Sequence, residues 1–402
     1  MNYSKSKVLL AIFILTITIS LIIFPSEILT ASKRGLTLWW TVVFPSLLPF
    51  FILSELLIVL GVVHFFGVLL EPLMRPLFRV PGVGAFVLTM GMASGFPSGA
   101  KYTVLLRQEN KISKTEGERL LAFTNFSNPV FIFGAISAGF MNNPKIGIVL
   151  AFSHYVANLL VGFCMRFYKA NELKTTNKIH QKSSIKVAIT SMLEKQQQDT
   201  RPFGKMFGDA VVSSVQTLLL IGGFIIFFSV LYQTINILGV WITLTTLLEP
   251  VLQMINIPSS IVQPIFAGLL EITIGSQSVS NLSDVNLYIQ CIIIGAILAF
   301  GGFSVQAQVA SIVAQSDLSL KPFFMGRILQ ALFSIALTVV FFHPLYKVST
   351  TTIVPAFANS QASSILFTYW GNIQKIGPLI TLGALLFSSI FLFYSVIKSK
   401  TT

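Results

Sequence analysis

Residues 82–101 read GVGAFVLTMGMASGFPSGAK, and the reading of this stretch decides the fold. The apolar part, 82–95, is too short to cross a bilayer core, which takes roughly 20 helical residues. It breaks at Gly95-Phe96-Pro97-Ser98-Gly99 and runs on through Ala100 and Lys101 into the charged segment 107–119. Proline lacks an N–H and glycine frees the backbone, so a helix opens there. Open backbone at membrane depth is tolerated only against protein or a water-filled cavity. A short apolar run, a break and a return to charge therefore predict a re-entrant helical hairpin.

The rest of the chain agrees that its solvent is lipid. Of 402 residues, 54% are hydrophobic and 10% charged, where a globular chain carries about 25% charged residues. The mean hydropathy is +0.80. This length makes about seven to nine spans with shorter pieces between. The formal charge of +13 comes from Lys and Arg lying between apolar runs. There they orient a membrane protein, and nucleic acid is not expected as a partner. Cys164 and Cys291 lie inside apolar segments, and the four His have no ligand spacing. No disulfide framework, metal set or cofactor is expected. No acid/base pair of usable spacing points to an enzyme.

Residues 8–24 read as an uncleaved helix and 36–63 as a tilted span. Residues 64–80 read as an amphipathic helix at the interface, with Glu71, Arg75 and Arg79 along one face. Residues 120–140 span but contain Asn125-Phe126-Ser127-Asn128-Pro129, where Pro129 must open the helix. Residues 146–165 are a clean span. The linker 166–205 has nine Lys/Arg against three acids and is too short for a domain. Beyond it, 210–238 spans, 241–255 is amphipathic and 259–274 is a second short segment breaking at residues 273–278. Residues 287–313 span with Gly301-Gly302-Phe303-Ser304 inside, and 323–342 and 376–397 complete the set around a polar loop at 347–371.

Leu69-Leu70-Glu71-Pro72 recurs 178 residues later as Leu247-Leu248-Glu249-Pro250. The same register carries 95–99 onto 273–277 and 125–129 onto 303–307. In the second copy Ala307 replaces Pro129, so that break would rest on Gly301 and Gly302. Both termini and the linker are basic, and so are the flanks of the first hairpin. No Lys or Arg occurs between Lys205 and Lys321. The positive-inside rule then places the termini, linker and first hairpin at the cytoplasm, and the second hairpin on the opposite side. The expected fold is all-α and polytopic, with two inverted repeats, each holding a re-entrant hairpin and a broken helix. Such an arrangement describes a secondary transporter. The division expected is an N-terminal helix at 1–35, repeats at 36–168 and 208–345, a basic linker at 169–207, and a loop with a last helix at 346–402.

The half-helix after Pro97, Ser98 and Gly99 aims N–H groups at the midplane, which suits an anion. Gly95 and Gly99 allow close backbone approach. Lys101 either adds a full positive charge or snorkels to the interface. Asn125, Ser127 and Asn128 offer polar groups at the helix break. Glu271, beside Thr273, is an intramembrane acid and by default functional. It would hold a coupling cation, pair with Lys101 or bond the unwound backbone. Gly275, Ser276 and Gln277 follow it, and Gly301, Gly302, Gln306 and Gln308 would complete the polar ring. Glu71 and Glu249 are read as anchors of interfacial helices.

The stretch 95–101, the break 125–129 and the hairpin Glu271-Ile272-Thr273-Ile274-Gly275 resemble the nucleoside-recognition "Gate" family. Nearly the whole chain is similar to its sporulation integral membrane branch. The resemblance implies a fold related to concentrative nucleoside transporters and a place in endospore formation. It also implies movement of dipicolinic acid from the mother cell across the outer forespore membrane. The partners expected are this small organic anion and the bilayer, with a coupling cation and a second copy of the chain as further candidates. The competing reading is a non-transporting membrane scaffold for cortex or envelope assembly. Glu271 counts against a dianionic solute unless it is protonated or bound to a cation.

Overall fold

The computed structural model describes residues 5–170, 184–254 and 258–351, which are helices joined by short turns without a strand among them. The chain divides into a compact unit, Met1–Leu345, and a second unit, Tyr346–Thr402. The span expected at 376–397 and the loop beyond residue 351 lie outside the described residues. Four described helices are long and apolar enough to cross a membrane: Ile146–Met165, Phe203–Ile237, Leu287–Val313 and Lys321–Lys347. Counting each sharply bent pair as one span raises this to seven. Large apolar side chains such as Ile22, Leu219, Ile242 and Val340 are exposed. Only lipid makes that arrangement stable over so much surface. The protein is an integral, multi-pass membrane protein.

Apart from Glu71–Phe78, which has no separate counterpart in the second half, the order of elements runs twice. Phe44–Val59, Val62–Leu69, Val83–Ser94, Ser98–Gln108, Lys114–Phe123, Val130–Phe140 and Ile146–Met165 form the first series. Phe203–Ile237, Val240–Met254, Val262–Leu270, Ile272–Ser280, Leu287–Phe300, Gly302–Val313 and Lys321–Thr351 form the second. Shifted by 178 residues, each member of the first series overlaps its counterpart, so the repeat seen in four residues extends to seven elements.

Two short helices, Val83–Ser94 and Ser98–Gln108, form the first hairpin around a break at residues 95–97. Gly95 takes φ +78°, a value that favours glycine. Ser113 starts the following helix with a capping box, its hydroxyl accepting from Glu116 N–H and the Glu116 carboxylate accepting from Ser113 N–H. The amphipathic stretch 64–80 is not one interfacial helix but two, Val62–Leu69 and Glu71–Phe78. Pro72 suits the first turn of the second, and Arg79 ends it at φ +52°. Glu71 pairs with Arg75 and accepts from Gly82 N–H, so its carboxylate fastens the entrance of the hairpin. In the linker, Ile185–Gln198 is helical. Its Gln196 Nε2 donates to Leu60 O at 2.9 Å.

Candidate functional site

Residues 124–129 carry the chain out of helix between Lys114–Phe123 and Val130–Phe140. Each buried backbone group opened there costs about 1–3 kcal/mol if it finds no partner. Side chains from two other helices supply the partners. From Ile146–Met165, Asn158 donates to Phe123 O, His154 Nε2 accepts from Ser127 N–H at 3.0 Å, and Tyr155 OH donates to Ser127 O at 3.1 Å. From Lys321–Thr351, Arg327 donates to Ala122 O at 2.6 Å and to Asn125 O.

Arg327 is wholly buried, and its guanidinium also lies 3.5 Å from Ala299 O in the last turn of Leu287–Phe300. No carboxylate pairs with it among the described residues. It joins the C-terminal ends of two half-helices instead. Each such end carries about half a negative charge, so the two together act as its counter-ion.

The N–H groups expected to receive an anion at the first half-helix are already occupied in part. Asn125 Oδ1 accepts from Ala100 N–H at 2.7 Å, while Asn125 Nδ2 donates to Leu121 O at 2.9 Å. Ser98 Oγ donates to Gly95 O at 2.5 Å. A Cβ on Gly99 would sit 2.1 Å from Thr124 O, so only glycine lets the hairpin lie against the break. Asn125 therefore brackets the half-helix to the break, and its amide is spent there.

The second hairpin breaks at Glu271, not at residues 273–278. Glu271 is extended between Val262–Leu270 and Ile272–Ser280, and Thr273, Gly275, Ser276 and Gln277 are helical. The reason is capping: Glu271 Oε2 accepts from Thr273 N–H at 2.9 Å, Ile274 N–H at 3.0 Å and the Thr273 hydroxyl. This ties down the N-terminus and lets a run of Gly, Ser and Gln stay helical. The second helix break falls at Gly301 and Gly302, with φ +85° and +63°. Gln306 Nε2 donates to Phe300 O at 3.3 Å beside it.

One cavity of about 680 Å³ collects parts of three breaks, and Ser304 just past the fourth. Gly95, Ser127 and Asn128 line it from the first half, with Ser94 and Phe96; Glu271 and Thr273 line it from the second, with Ser304 and Gln308. The remainder is largely apolar, including Leu38, Val43, Phe131, Phe140, Ile221 and Ile225. Pro97, Ser98, Gly99, Asn125, Gly275, Ser276, Gln277, Gly301, Gly302 and Gln306 do not line the cavity. Asn128 lines the cavity with its amide engaged, donating to Ser94 O at 3.2 Å and accepting from Phe131 N–H at 2.8 Å.

Lys101 is also outside the lining, and neither snorkels nor meets Glu271. Its Nζ pairs with Glu55 Oε1 at 2.5 Å and donates to Thr217 and Ser213 hydroxyls at 3.2 and 3.3 Å. Glu55, His154, Tyr155, Asn158 and Arg327 did not enter the expected site. His154 and Arg327 each interrupt an apolar run, the same signal that marked Glu271.

Residues 40–144 match the family described as "Gate: Nucleoside recognition", a stretch that holds the first hairpin and first break and none of the second half. The chain is 47% identical over 399 residues to the "Sporulation integral membrane protein YlbJ" of Bacillus subtilis (strain 168), covering 98% of this chain and 97% of that protein. No solved structure matches the chain.

Proposed function

As the chain belongs to the family of the sporulation integral membrane protein YlbJ, we propose that it is a secondary transporter that moves a small organic anion, dipicolinic acid, from the mother cell across the outer forespore membrane. The observation that carries this reading is the single cavity walled by the breaks of both halves. Carriers built from repeats bind their solute where interrupted helices of the two halves meet. Apolar walls with a polar stripe of Ser94, Ser127, Thr273, Ser304 and Gln308 suit a flat ring with hydrogen-bonding groups along one edge.

In this reading each pair of short helices is a re-entrant hairpin, and the two halves are inverted. Lys and Arg flank only the first hairpin, which puts it and both termini on the cytoplasmic side. Cysteines replacing Asn110 and Ser283, exposed residues just beyond the two hairpins, test the orientation. Asn110→Cys should react from the cytoplasmic face and Ser283→Cys from the other. Reaction of both from one face would sink the inversion.

The function is tested by uptake of labelled dipicolinic acid into vesicles holding the purified protein. Saturable uptake, absent from empty vesicles, is expected. Folded protein that moves no solute returns the chain to a scaffold role in envelope assembly.

A further inference from the structure

Among the described residues the cavity wall contains one ionisable side chain, and it is a carboxylate. Glu271 lines it, and no described Lys, Arg, His, Cys or Tyr does. All three cap donors converge on Oε2, and Oε1 makes no hydrogen bond with the described residues. The two interior cations nearest the breaks are engaged elsewhere, Lys101 by Glu55 and Arg327 by carbonyls at two helix ends.

The neighbours of Ile272–Ser280 do not change this. Val262–Leu270 and Val130–Phe140 carry no titratable side chain, and Leu287–Phe300 carries only Tyr288 and Cys291. Arg34, on Pro25–Leu38, is the charged residue whose field reaches Glu271, and it forms no ion pair with it. Two further groups in the wall lack partners. Ser94 and Ser127 are lining residues whose buried hydroxyls make no hydrogen bond among the described residues. A hydroxyl donates readily to a carboxylate oxygen.

We infer that the cavity takes an acidic solute together with one cation, a proton or a metal ion, held between Glu271 Oε1 and a carboxylate of the solute, while Ser94 and Ser127 donate to the solute's other oxygens. The inference rests on the transporter reading and specifies the form in which the acid is carried. A fully ionised dicarboxylate would bring two negative charges against a third in a site without a cation. At low dielectric that repulsion is severe. The shared cation turns the carboxylate–carboxylate contact into an attraction, and it cuts the net charge moved with each solute by its own charge.

The test uses full-length protein in detergent and equilibrium binding of labelled pyridine-2,6-dicarboxylate. One arm varies pH without metal over a range where the free acid is fully ionised. The other holds pH at the alkaline end of that range and varies Na⁺, K⁺, Mg²⁺ or Ca²⁺. Uptake of one proton with the solute makes Kd rise about tenfold per pH unit, and uptake of a metal ion makes it fall about tenfold per tenfold cation. Dependence in the first arm identifies the proton and dependence in the second the metal. Glu271→Gln should flatten both arms, and Glu271→Asp, which keeps the charge and a capping oxygen, should retain the dependence and guard against loss of folding. Ser94→Ala with Ser127→Ala should weaken binding about tenfold without altering the slope. Wild-type affinity that is indifferent to pH and to every cation overturns the shared charge and leaves transport standing. So does dependence that survives in Glu271→Gln. Folded protein that binds no dicarboxylate under any of these conditions overturns the transporter reading as well.

Discussion

The first helix break is held from outside and the second largely by its own backbone. At residues 124–129, Arg327, His154, Tyr155 and Asn158 reach in from two other helices to satisfy groups that ordinary residues expose by leaving the helix. At 301–302, two glycines turn the chain through positive φ, with Gln306 and the distant edge of Arg327 alongside. Imported partners make a break a fixed part of the packing. A glycine break leaves its neighbours free of that duty, so under the transporter reading a rearrangement should cost less in the second half. Arg327 is the exception that touches both.

The largest effect should come from removing that link. Arg327→Met strips donors from Ala122 O, Asn125 O and Ala299 O. It should destabilise the protein by about 3–5 kcal/mol, as when a buried charge network loses a member. Thermal unfolding of purified protein measures this, and Arg327→Lys should recover part of the loss. A wild-type melting curve for Arg327→Met would show that the first break needs no imported support.

Next comes the direct contrast. His154→Leu leaves Ser127 N–H buried without an acceptor and should cost about 1–3 kcal/mol. Gly301→Ala meets no atom closer than 3.5 Å and bears only the positive-φ penalty, about 1–2 kcal/mol. On transport the order should reverse, Gly301→Ala slowing flux more than its stability loss explains. If Gly301→Ala leaves the rate untouched, the second break is as fixed as the first.

Lys101 sharpens the comparison between hairpins, because the repeat register places Val279 at its counterpart in the second. Lys101→Gln and Glu55→Gln should each destabilise by about 1–3 kcal/mol, since the pair is mostly buried. The double variant should recover part of either loss in a double-mutant cycle. Additive losses would show that the two charges do not act as a pair.

The smallest effect concerns pH at the surface. Arg107 grips Asp317 with two bonds of 2.9 Å, joining the first hairpin to the turn before Lys321–Thr351. That hydrogen bonding holds the Asp317 carboxyl below its ordinary range. A carboxylate with a lowered folded value adds stability that is complete above its unfolded value and lost as pH falls through the folded one. For so exposed a pair the contribution is under about 1 kcal/mol. Asp317→Asn should therefore lower stability slightly at neutral pH and not at all in strong acid, read from denaturation series at both.

Several of these features were legible without the fold. Pro129 sits within an apolar run, so the opening before it was readable as a missing N–H and a steric clash. The bounds of Ile146–Met165 follow from a largely apolar stretch between Lys145 and Arg166. The second hairpin was misplaced because Gly275-Ser276-Gln277-Ser278 has the composition of a loop. Of the three roles open to Glu271, bonding the unwound backbone is the one found, and that bond is the cap that sets where the helix starts. The intramembrane His154 and Arg327 carried a signal by their chemistry alone, yet nothing local told what they hold.

Composition, apolar run lengths and the positions of Pro, Gly and Lys/Arg determined by themselves that this is an all-helical, multi-pass protein with a repeated, interrupted plan. These are local properties, since span length, helix breaking and charge placement depend on neighbours along the chain. Which groups face the cavity and which are consumed in holding it was decided only by tertiary structure. Lys101 meets a carboxylate 46 positions earlier in the chain, and Arg327 meets carbonyls about two hundred positions away. A buried polar group takes whichever partner the packing brings within about 3 Å, and sequence spacing does not encode that distance. Hence Asn125 and Lys101, both suited to an anion by chemistry, are spent on the scaffold, while the Ser94 and Ser127 hydroxyls and one oxygen of Glu271 have no partner among the described residues.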